Sequence, residues 1–335
     1  NGASLIFEGD CLFKNCSCYY ISGGLCAWCI TSGKLIKVAG LIEFDNCSSI
    51  EGSGGAAFFG LYDESTLEIN KIICKECKAG QGGGVNMQLG DSPHLIIKNQ
   101  ADFIRCESSR FAGGGLYIVC DEQDCDIQFL GVMNFIDCSA SRGGGLVITS
   151  FGNTQIIMSN QCIFQNCYSF DGNGGGILFD FYGHPFQVQI TGNIIFEDCS
   201  CSGNGGGMYI YSNLQGQIQI TGEMEFIDCI GSLGGGISIG SIFKIILVIS
   251  NSCTFKNCQG YLGGGMYMTL SNIDSDIQIT GELSFDNCSS NQGGGLFLST
   301  SGSQLSFTNI IQFKDCSSQD SGGGLYASCI DEGTI

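Results

Sequence analysis

Proline and histidine are nearly absent, with two of each in 335 residues. So little proline beside 53 glycines, none of them on a strict three-residue period, excludes a collagen-like chain. His94 and His184 sit in different repeats, beside Pro93 and Pro185. They read as exposed loop residues, and a histidine-based nucleophile triad has little support. Basic residues are also scarce: 13 Lys and Arg stand against 32 Asp and Glu, a net charge of −19. Phosphate recognition needs clustered Lys and Arg, so nucleic acid is not expected as a partner. That charge favours solubility and attracts cations such as calcium only weakly. No apolar run approaches the ~20 residues of a membrane span, and the longest, from Ile242 to Ile249, carries Lys244. No stretch holds a 3.6-residue apolar period long enough to predict a helix.

Cysteine is abundant, at 22 residues. This usage predicts an oxidising, extracytoplasmic setting, hence an extracellular or cell-surface location. The chain opens on Asn1 with no signal peptide in view and reads as a mature or trimmed segment.

Eleven of the cysteines recur in a column: Cys16, Cys47, Cys77, Cys106, Cys138, Cys167, Cys199, Cys229, Cys258, Cys288 and Cys316. From 16 to 316 in ten steps, the mean period is 30 residues. Three residues before each stands Phe13, Phe44, Phe103, Phe135, Phe164, Phe196, Phe226, Phe255, Phe285 or Phe313, with Cys74 in the third copy. A glycine cluster follows each column cysteine, as Gly113-Gly114-Gly115 follows Cys106. An apolar run such as Leu116-Tyr117-Ile118 comes next, then an alternating segment ending in a turn, such as Val188-Gln189-Ile190-Thr191-Gly192.

Strand-length segments separated by turn signals, repeated with little change of length, describe a solenoid. Each strand meets its own equivalent one rung later, so pairing is parallel. The crossover preference makes the coil right-handed. The expected fold is all-β: one right-handed, single-stranded parallel β-helix over residues 1–335, of about eleven rungs with three strands each. At the spacing of neighbouring strands it forms a rod about 50 Å long.

Stacking turns each position into a column of like residues. The phenylalanines should stack inside the coil, and the glycines should mark a corner where backbones approach closely. Asn or Asp usually precedes the column cysteine, which suits a corner in the left-handed region. Stacked Asp198 and Asp228 could draw calcium as a weak ligand; otherwise no cofactor is expected. Acidic residues 121, 122, 124 and 126, and Asp274 with Asp276, read as solvated loops. Some disulfides are expected among column and off-column cysteines, beside several buried free thiols; spacing cannot give their connectivity. Two Cys-x-x-Cys pairs, Cys26 with Cys29 and Cys74 with Cys77, fall within the repeat register and give little sign of a redox or zinc site. Asn15, Asn46 and Asn287 match the N-glycosylation sequon.

Phe-x-Asn/Asp-Cys-Ser followed by Gly-Gly-Gly and an apolar strand resembles the repeats of polymorphic outer-membrane proteins, in which a Phe-x-x-Asn and a Gly-Gly-Ala-Ile motif recur. The resemblance runs from Phe13 to Tyr326. Here Cys takes the final Asn place, and Gly often takes the Ala place. Cysteine-rich versions look more like surface or secreted proteins of protists. The resemblance implies surface display and adhesion.

The leading functional expectation is an extracellular structural rod that joins copies of itself, end to end or side by side, into a fibre. Its motive is that the first and last repeats keep the common motif and that Asp331-Glu332-Gly333-Thr334-Ile335 brings no capping helix. A chain cut from a longer protein would account for the same observation. The alternative is an adhesin binding a cell surface or glycan through Tyr19, Tyr20, Phe181 and Tyr182. A polysaccharide-active enzyme ranks third, because no rung carries a large insertion to wall a cleft.

Overall fold

A computed structural model describes residues 4–121, 124–271 and 274–330. These residues form strands and turns with no helix, wound into a parallel β-helix of eleven rungs. Every strand pairing is parallel, and each strand lies against its equivalent in the next rung. Three faces run the length of the coil. A long face carries 19 strands, a flat face carries 11, and a short face is a ladder of brief strands continued by single bridges.

The faces divide the repeat differently from the expected order. The alternating segment and the Phe segment were read as separate sides of the rung, with a corner at the turn between them. Both belong to the long face. In the second, third and fourth rungs they fuse into single strands, Leu35–Asp45, Thr66–Lys75 and His94–Ile104, with a register shift in the middle. The turn residues therefore form a stacked bulge and no corner. Gly192 shows why glycine suits it: a Cβ there would lie 2.0 Å from the Asn160 carbonyl oxygen of the previous rung. The third side is the two-residue strand after the column cysteine, such as Ser48–Ser49 or Tyr168–Ser169.

The phenylalanine column lies inside, fully buried from Phe44 to Phe285 wherever Phe occupies it. From Phe103 to Phe313 the rings stack one per rung, with centroids 4.7–5.0 Å apart. Each such contact adds about 0.5–1.5 kcal/mol beyond the area it buries.

The three glycines of a cluster meet three different demands. Gly113 has φ +66°, in the left-handed region that Cβ-bearing residues avoid. A Cβ on Gly114 would lie 2.2 Å from the Gly144 carbonyl oxygen of the next rung. A Cβ on Gly115 would lie 2.6 Å from the Phe135 ring, so the third glycine is the seat of the next rung's phenylalanine.

That last relation explains the one break in the Phe column. The seat beneath position 74 is Ala56, the only third-place residue of a cluster that carries a Cβ, and position 74 holds Cys in place of Phe. Each departure accommodates the other. Cys74→Phe alone is expected to cost about 1–3 kcal/mol by overpacking against Ala56. Combined with Ala56→Gly, it is expected to match or exceed the wild type. Denaturation of both single variants and the double variant measures the coupling, and strict additivity would refute the pairing.

Candidate functional surface on the outer flat sheet

The cysteine column forms a corner, not a set of cross-links. The residue before each column cysteine adopts φ between +51° and +55°, and in nine of the eleven copies it is Asn or Asp. The exceptions, Glu76 and Arg105, are neighbours in the stack and form an ion pair at 2.8 Å. Elsewhere the column makes an amide ladder: Asn46 Nδ2 donates to Asn15 Oδ1 at 2.8 Å, and Asn287 Nδ2 to Asn257 Oδ1 at 2.8 Å. The three sequon asparagines, Asn15, Asn46 and Asn287, are thus exposed, and the side-chain amides of Asn46 and Asn287 are engaged in this ladder.

Each column thiol then turns inward onto backbone. Cys138 Sγ donates to Phe103 O at 3.3 Å, Cys167 to Phe135 O at 3.4 Å and Cys199 to Phe164 O at 3.3 Å. From Cys47 to Cys316 every column thiol reaches the same carbonyl of the preceding rung, at 3.3–3.8 Å. A small apolar residue with one weak donor suits this place. All 22 cysteines are free thiols, so the expected disulfides are not formed. The column thiols stack one above another, each donating to a backbone carbonyl. Burial pushes the thiols of Cys106, Cys167 and Cys229 well above the usual range and holds them protonated. Cys26 and Cys29 occupy opposite faces of one strand, Cys26 exposed and Cys29 buried, so that pair cannot close.

The remaining expected residues scatter. His94 Nδ1 lies 3.2 Å from Asp126 Oδ2 on the outer long face, beside a depression of about 460 Å³. The adjacent Cys125 points inward and is 3% exposed, so it does not join them. Asp198 and Asp228 are exposed, and Asp228 Oδ1 accepts from Asn257 Nδ2 at 2.9 Å. Glu122 and the segment 331–335 lie outside the described residues. Among the described residues, no group of three or more His, Cys, Asp or Glu is arranged to hold a metal ion. No helix among them is long and apolar enough to cross a membrane. Tyr19 and Tyr20 are exposed and meet edge to face at 4.7 Å. Phe181, expected on the surface, is fully buried. It is the fifth residue of the strand Ile177–Phe181, on the inward side, and stacks on Phe186 at 3.8 Å.

The outer side of that same strand holds the most distinctive grouping. In register across three rungs lie Val147 and Thr149, then Leu178 and Asp180, then Tyr209 and Tyr211. Phe151, Tyr182 and Asn213 follow these strands directly. Asp180 is the centre of this three-by-three grid. Rings rise around it: Phe151 stacks on Tyr182 at 5.6 Å, Tyr182 meets Tyr211 at 6.0 Å, and Tyr211 stacks on Tyr209 at 6.4 Å. Arg142 reaches in from the glycine corner. Its guanidinium lies over the Phe111 ring at 5.2 Å and 3.8 Å from Asp180 Oδ2. Beneath it, Ala112, Tyr117, Val147 and Leu178 make a second apolar cluster on the outside of the sheet.

Asp180 is therefore a short carboxylate walled by rings, 4% exposed on a face that ordinarily meets water. Burial raises its pKa to about 6, and the Arg142 charge offsets this only in part. Sequence reasoning named Tyr182 and missed Asp180 and the other residues around it. The signal was present in Phe179-Asp180-Phe181-Tyr182, a lone acid among aromatics.

Comparisons with protein-family models, with curated proteins and with solved structures find no match.

Two outcomes follow. A thiol reagent added to the native protein should label the exposed Cys18, Cys26 and Cys329 promptly, and Cys11, Cys16 and Cys316 slowly. The buried thiols should react only after unfolding. Cys18 should lead, since the backbone amides of Ile21 and Tyr20 hold its pKa below the ordinary thiol value. Mass spectrometry of the labelled peptides checks the order, and buried cysteines that stay unreactive after unfolding without reductant would show disulfides. The second outcome concerns Asp180. Its folded pKa lies above its unfolded value, so the fold binds more protons between about pH 4 and 6, and stability falls as pH rises through that window. Asp180→Asn should remove a penalty on the order of 1–2 kcal/mol at pH 7.5 and flatten the pH dependence. Thermal melts from pH 4 to 8 read both.

Proposed function

We propose that this protein is a structural rod that associates with copies of itself, through rung edges or through its long sides, in a surface or secreted assembly. The observation that carries the reading is the uninterrupted homotypic stack. Phe, Cys and Gly columns pass through all eleven rungs, with a compensated break at Ala56 and Cys74 and with Ser22 in the place of the first rung's first glycine. Such a coil resists bending, because every backbone strand is bonded to the rungs on both sides. Any rung edge offers the pairing groups and side-chain columns that another rung of the same sequence accepts. An extracellular setting remains part of the proposal, resting on the cysteine content and on the likeness to surface-displayed repeat proteins.

Negative-stain electron microscopy of the purified chain across a concentration series tests it. The expected result is filaments or lateral bundles with an axial repeat near the ~50 Å set by eleven strand spacings. Dispersed single rods at every concentration would overturn self-association.

A further inference from the structure

We infer that the ring-walled surface around Asp180 is a binding site for a neutral saccharide. A sugar ring has an apolar C–H face and an edge of hydroxyls. Its site needs flat apolar surface beside a few buried hydrogen-bonding groups. The grid supplies the first in Phe151, Tyr182, Tyr209 and Tyr211, a connected run of rings over three rungs. It supplies the second in groups whose hydrogen-bonding capacity the protein leaves unused. Asp180 makes no hydrogen bond among the described residues and has only the loose ion pair with Arg142 at 3.8 Å. Nearby, Asn213 Oδ1 is buried with no hydrogen-bond partner, and Thr149, beside Asp180 in the sheet, meets only the Tyr117 hydroxyl. Buried polar atoms are nearly always satisfied, and each orphan costs about 1–3 kcal/mol. A carboxylate held only by a loose ion pair, near a buried amide oxygen without a partner on an outer face, is what a ligand carrying several hydroxyls would satisfy.

Charge selects among saccharides. The Arg142 guanidinium balances the Asp180 carboxylate locally, so the site itself offers no net positive charge. The chain as a whole carries −19 and repels polyanions. A neutral sugar matches both. The site lies on the flat face of the coil, so association through rung edges leaves it uncovered.

The test is isothermal titration of the full 335-residue chain with a panel of neutral oligosaccharides (gluco-, manno-, galacto- and N-acetylglucosamine-based) and with acidic uronate oligomers. At least one neutral oligosaccharide should bind with a dissociation constant below about 1 mM. Asp180→Asn and Tyr211→Ala should each weaken it about tenfold, the loss of one good contact. Thr269→Ala, on the same outer column two rungs away, should leave it unchanged. Thermal melts certify the fold of each variant, and Asp180→Asn should bind worse while melting no lower. No binding across the neutral panel, preference for uronates, or wild-type affinity in both grid variants would each overturn the assignment.

Discussion

In this coil each residue's closest non-sequential neighbour is its own equivalent, one strand spacing above or below. That constraint governs the rest of the structure. A residue type survives at a column position only if it packs against itself. Phenylalanine does so by offset stacking. Asparagine does so because its amide both donates and accepts. Cysteine does so at the inner corner because a small thiol stacks on the next thiol while donating to a carbonyl. Glycine does so where two backbones approach closely enough that a Cβ would overlap the neighbour. Charge fails the rule unless it alternates, and the outer long face alternates it, with Lys14 against Asp45 at 2.8 Å and Lys75 against Glu43 at 2.7 Å. Such exposed pairs contribute little stability on their own, but they relieve the repulsion that a uniform column would carry.

The same constraint decides how much the sequence disclosed. The period of 30, the Phe and Cys columns and the glycine corner were legible because self-packing enforces the same residue at every turn. The short face was not legible: a two-residue strand such as Ser200–Cys201 leaves no period to detect. The straight run of the long face was hidden because Thr-Gly reads as a turn, whereas stacked Thr-Gly pairs form a bulge within one face. Phe181 was misplaced for a different reason. Its strand is apolar on both sides, so the two-residue alternation that separates inside from outside is masked. Asp180 alone marks the outward parity there, and the outward residues around it depart from the repeat. Comparing columns finds what is shared; the grid consists of what is not.

That grid also has an energetic signature. Two other outward positions, Asn86 and Asp126, also hold a buried oxygen without a hydrogen-bond partner. Around Asp180 the fold keeps a carboxylate out of water with one distant partner, near a buried Asn213 oxygen without any. Asparagine at position 180 would fit the same space at lower cost to the fold. Stability given up at one place in an otherwise regular coil is the mark of a site shaped by demands other than folding.

The mismatch at Ala56 and Cys74 has a consequence for assembly of the coil itself. A chain of near-identical turns faces a counting problem: skipping one turn, looping 30 residues out and closing on the next would preserve almost every column. The odd pair removes that degeneracy at the turn it marks. If the third turn were skipped, Phe103 would have to sit on Ala56, where its ring meets a methyl group, and Arg105 would lose Glu76. A single irregular step thus acts as an index mark on a ruler, fixing the count at the N-terminal turns.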